Sequence, residues 1–125
     1  MKTYDPETGP DPAEWLGLEE SERVILVASF HRRAKIQAPD PQTHAAIHAV
    51  VENQLAEELQ TVRETLERLK AEGLSRHDAI HAVGTVLVDH LNRHIRDKAG
   101  STDAMESYFQ ELRALTGESW LSKGG

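Results

Sequence analysis

Cysteine is absent from the chain. That excludes a disulfide framework and thiolate metal sites, so any metal must be held by nitrogen or oxygen. Long apolar runs are missing as well. Nothing approaches the roughly 18–20 consecutive apolar residues that span a bilayer, so no membrane association is expected. The opening MKTYDPETGPDPAEW lacks the apolar stretch of a secretory signal, and a cytoplasmic location is the expectation. Aromatic residues make up only 5% of the chain, which leaves the core to Leu, Ile, Val and Ala and favours helices with aliphatic stripes. Positive charge is also in short supply. Fourteen Lys and Arg face 21 Asp and Glu, for a net charge of −7, whereas nucleic-acid binders carry a basic stripe or patch. The one basic knot, His31-Arg32-Arg33-Ala34-Lys35, reads as the cation-rich end of a helix. No nucleic-acid partner is expected.

What remains is a chain of 125 residues, a single-domain length, with helical periodicity over most of it. Residues 1–17 hold three of the five prolines and read as an irregular N-terminal arm, with Trp15 and Leu16 available to dock on the body. A first helix is expected from about Glu19 to Ile36, with Val24, Val27, Phe30 and Ala34 at helical spacing. Asp40-Pro41 is a capping residue followed by proline at the first helical position, which starts a second helix running to about Leu59. A short helix from about Val62 to Glu72 stops at Gly73. Ser75 caps the next, which runs to about Lys98. After Ala99-Gly100-Ser101, Thr102 or Asp103 caps a last helix carrying Met105, Tyr108, Phe109, Leu112 and Leu115. No segment alternates like a strand. The expected fold is all-α, a four- to five-helix antiparallel bundle over residues 18–118, with a loose tail at 119–125.

Within this pattern one phrase occurs twice. HAAIHAV at His44–Val50 and HDAIHAV at His77–Val83 differ only at their second residue and stand 33 residues apart. A helix advances about 100° per residue. His48 therefore lies near 40° from His44 and Glu52 near 80°, inside and at the edge of the apolar face. His77 and His81 fall on one margin of the stripe of their own helix. In an antiparallel bundle the second and fourth helices run parallel, which would bring both pairs to one end. The first helix finishes at that end with His31 in its apolar stripe. His90 and His94 point elsewhere around their helix and are expected at its surface or rim, His94 towards the core margin.

Two histidines at i and i+4 chelate one ion from a single helix face, and imidazole is the commonest nitrogen ligand of transition metals. The expected metal ligands are therefore His44, His48, His77 and His81, with Glu52 and His31 as auxiliary groups, Glu52 as an oxygen ligand or as a partner that orients a histidine. Such a set suits zinc, iron, nickel or manganese. Helix N-termini disfavour imidazolium, which keeps these rings in the neutral form that binds metal. If the ion were catalytic, its bound water would be the nucleophile and Glu52 the base. Two other readings stand beside this one. The histidines can form a hydrogen-bonded polar layer in an interaction or structural module, or line a metal-free ligand pocket. Self-association as a homodimer and an unspecified protein partner stay open.

VVENQLA at Val50–Ala56 and LKAEGLSRHDAIHAVGTVL at Leu69–Leu87 resemble a small bacterial family catalogued as a domain of unknown function, whose members carry VENQ and GLxRHxAIHA stretches. The resemblance covers roughly residues 44–91 and implies that His48, Glu52, Asn53, Gln54, Arg76, His77 and His81 are signature positions. A looser similarity joins His48-Glu52 and His77-His81 to the HxxxE and HxxxH elements of hemerythrin-like di-iron bundles. The HxxxxD element of those proteins is missing here, and a mononuclear site is the simpler expectation.

Overall fold

A computed structural model describes residues 1–97 and 104–123. The expected break at residues 99–101 and the expected caps Thr102 and Asp103 lie outside the described residues. The all-α expectation holds. Among the described residues there are seven helices and no strand, where four or five helices were expected: α1 (Pro12–Gly17), α2 (Glu20–Arg33), α3 (Pro41–Ala56), α4 (Gln60–Ala71), α5 (Arg76–Asp97), α6 (Ala104–Ala114) and α7 (Gly117–Ser122). No helix among them is long and apolar enough to cross a membrane. The chain divides into two compact units, Met1–Leu59 and Gln60–Gly125, where the sequence suggested one bundle.

In the first unit α3 packs against both α2 and α1. Its core is Tyr4, Trp15, Val27, Ala45 and Ala49, with Leu18, Val24, Leu26, Phe30 and Ala56 packed around it. The supposed irregular arm is therefore part of the core. Asp11 accepts from the Glu14 N–H at 3.1 Å, Pro12 occupies the start of the helix, and these two local signals launch α1. Trp15 is fully buried, and its indole N–H donates to Asn53 Oδ1 at 2.8 Å. Leu16, by contrast, stays 38% exposed.

Helix α3 begins as expected. Asp40 accepts from the Thr43 N–H at 3.3 Å and from its hydroxyl at 2.7 Å. Helices α2 and α3 end earlier than their periodicity suggests, and the same device stops each. The Ile36 N–H donates to the His31 carbonyl, and the Leu59 N–H to the Gln54 carbonyl, with Lys35 and Glu58 bonded one step inside. This paired closure requires a left-handed residue, and glycine is its usual occupant. Lys35 (φ 58°) and Glu58 (φ 61°) hold it here, so no glycine marked either stop. Glu58→Gly is accordingly expected to raise stability by about 1 kcal/mol, because the steric cost of a side chain in this region is removed. A urea midpoint unchanged or lowered would contradict that.

In the second unit α5 packs on α4, α6 and α7, and α4 also packs on α6. Val62, Leu66 and Leu69 of α4 are buried in it, with Ile80, Val83 and Leu87 of α5 and Tyr108 and Leu112 of α6. Gly73 (φ 107°) closes α4 as its sequence position suggests, and the Ser75 hydroxyl caps α5 by accepting from the Asp78 N–H at 3.1 Å. The expected loose tail is instead α7. Thr116 caps it and Trp120 is buried. The tie to α4 is polar: Glu72 accepts from the Gly117 N–H at 2.8 Å, and Arg68 donates to the Leu112 and Leu115 carbonyls.

Candidate metal centre

Three histidines of the first unit come together. His31 sits in the last turn of α2, and His44 and His48 lie one turn apart on α3. Each offers a ring nitrogen, and these atoms lie within 4.8 Å of one another. The His31 ring meets those of His44 and His48 at centroid distances of 4.9 and 5.1 Å, edge to face in both cases. Two nitrogens bound about 2.1 Å from one zinc ion at tetrahedral angles stand about 3.4 Å apart. Small ring rotations would thus close this group on an ion. The spacing of His44 and His48 does for the chain what i, i+4 chelation requires, and His31 is brought in by the packing of α2 on α3.

Hydrogen bonds set the ring protonation. His31 Nδ1 lies 2.9 Å from the Val27 carbonyl. A carbonyl only accepts, so Nδ1 carries the proton and the lone pair of the neutral ring is on Nε2. His48 Nε2 lies 2.8 Å from the Tyr4 hydroxyl, which in turn donates to Glu52 Oε2. With the carboxylate as acceptor, the order is Glu52, Tyr4, His48. His48 Nε2–H then donates to Tyr4, and the neutral ring's lone pair lies on Nδ1. Carboxylates that act on a ligating histidine from behind fix its tautomer and raise its basicity; here a tyrosine hydroxyl stands between the two. All three groups are almost completely buried, Tyr4 and His48 at 2% exposure and Glu52 at 1%.

Burial, which penalises the charged imidazolium, pushes the pKa of His31 below its usual value. The same cause lowers His44, with a smaller contribution from the neighbouring His31. Burial thus acts in the direction of the neutral form at both rings. Both groups bind fewer protons folded than unfolded between their lowered values and about 6.5. Without metal, stability should hold above about pH 6.5 and fall as the pH drops from there through the folded values. Urea midpoints between pH 5 and 8 test this, and a stability that rises on acidification over that window would contradict it.

Glu52 accepts from the Tyr4 hydroxyl, which also meets His48. Asn53 accepts from Trp15 and from Arg23 at 3.1 Å, and donates to Glu20 at 3.0 Å. It joins α1, α2 and α3. In the second unit, His77 and His81 are half-buried on α5 with ring centroids 4.3 Å apart. His90 and His94 lie further along α5, stacked at 6.2 Å, and His90 Nδ1 approaches Glu111 of α6 at 3.7 Å. Both are half-buried, in keeping with a rim position.

Tyr4 is the residue that sequence reasoning missed. It lies in a stretch without helical periodicity, and its only signal was scarcity: it is one of two tyrosines in the chain. No protein-family model, curated protein or solved structure matches the chain.

Proposed function

We propose that the first unit is a transition-metal-binding module, with His31, His44 and His48 as ligands and Glu52 acting on His48 through Tyr4. One observation carries the reading: three ring nitrogens from two helices lie within 4.8 Å of one another, with His31 and His48 buried. Neutral imidazoles without thiolates suit zinc, iron or nickel.

Untagged protein should then carry close to one equivalent of transition metal by elemental analysis, and chelation should lower its Tm because ligand bound only to the folded state stabilises it. A second reading takes its support from the hydrogen bonds themselves. The bonds of Tyr4 to His48 and Glu52, and that of His31 to Val27, are what a polar core of an interaction module would also contain. That reading gives metal-free protein whose Tm ignores chelator, and such a result would overturn the metal assignment.

A further inference from the structure

A cleft of about 430 Å³ opens beside His31 and His44, between the end of α2 and the start of α3. Its volume falls within the range of small-molecule sites. It lies wholly within the first unit. Ile36 and Pro41 give it an apolar wall, and Arg32 and Gln42 give it polar groups next to the two histidines.

Its charge is unlike that of the chain. Among the described residues that line the cleft, Arg32 is the one side chain charged at neutral pH, and no carboxylate is present. This occurs in a protein with 21 Asp and Glu. The Arg32 guanidinium donates to Ser29 Oγ at 3.3 Å, a single long bond that leaves most of its five donors to other acceptors. A metal held by three imidazoles carries its full positive charge and keeps an exchangeable position. Metal, guanidinium and apolar wall together match a ligand with one anionic head and a short hydrocarbon body.

Resting on the metal reading above, we propose that this cleft binds a small aliphatic monocarboxylate. Its carboxylate completes the coordination of the ion on His31 and His44 and accepts from Arg32, and its carbon chain lies along Ile36 and Pro41. Glu52 and Tyr4, behind His48, have no part in holding it.

The test uses the full chain loaded with Co²⁺, whose visible absorption reports a change of ligand. Propionate, butyrate and hexanoate should each alter the bands to saturation, with affinity rising along the series. Arg32→Ala should weaken hexanoate about tenfold, as expected for loss of a charge-assisted bond, and leave Co²⁺ affinity unchanged. Arg32 is exposed, so this variant should fold. Bands that ignore all three carboxylates, or that respond as strongly to inorganic phosphate, would overturn the inference while leaving the metal site standing. Calorimetry showing equal hexanoate affinity for metal-free protein would overturn it too. Failure of Co²⁺ to bind at all would remove the metal reading and this one with it.

Discussion

Alanine in place of His44 is expected to weaken metal binding more than a hundredfold. Removing an outer partner of a ligating histidine typically costs ten- to a hundredfold, and removing the ligand itself should exceed that. His44 is the informative choice because it is half-buried, so truncation leaves less of a void than at His48. The metal-free protein should keep nearly its full Tm, which separates loss of the site from loss of the fold. Competition titration with a chromogenic chelator measures the effect. An affinity within threefold of the parent would remove His44 from the ligand set.

The second large effect is expected from Tyr4→Phe. The ring and its packing against Trp15 and Phe30, at 5.5 and 6.3 Å, are retained. Only the hydroxyl is lost, together with its donation to a carboxylate that is 1% exposed. A hydrogen bond to a charged group is worth about 1.5–3 kcal/mol, and a cost of about 2–3 kcal/mol corresponds to a Tm lower by roughly 10 °C. His48 also loses the group that fixes its tautomer, so metal affinity should drop ten- to a hundredfold. A double-mutant cycle with Glu52→Gln should show strong coupling, because both changes break the same chain of bonds. Additive losses, or a Tyr4→Phe protein as stable as the parent, would contradict the relay.

Much of this site was legible because its signals are local. His44 and His48 share a helix face by spacing alone, and Asp40-Pro41 places the start of that helix by satisfying its first N–H groups. Glu52 follows one turn later, so its position near His48 was readable too. His31 could be placed on the buried face of its helix. Its arrival beside His44, however, depends on the chain reversing between α2 and α3, and the residue that closes α2 is Lys35, which carries no sequence mark of a turn. Had glycine stood at positions 35 and 58, as it does at 73, the ends of α2 and α3 would have been as clear as that of α4.

Thus the amino-acid sequence alone determined the helical class, most helix starts, and the pairing of histidines along single helices. These follow from periodicity, capping chemistry and proline geometry, all of which act over a few residues. Tertiary structure decided that residues 1–17 belong to a core, that Tyr4 links Glu52 to His48 across 44 and 48 residues of chain, and that the chain forms two units. A segment of prolines and polar residues has no periodic face to reveal what it will cover. Its place is set when Tyr4 and Trp15 leave water for the surface of α3, because burying two of the chain's few aromatic rings yields more than local propensity can oppose.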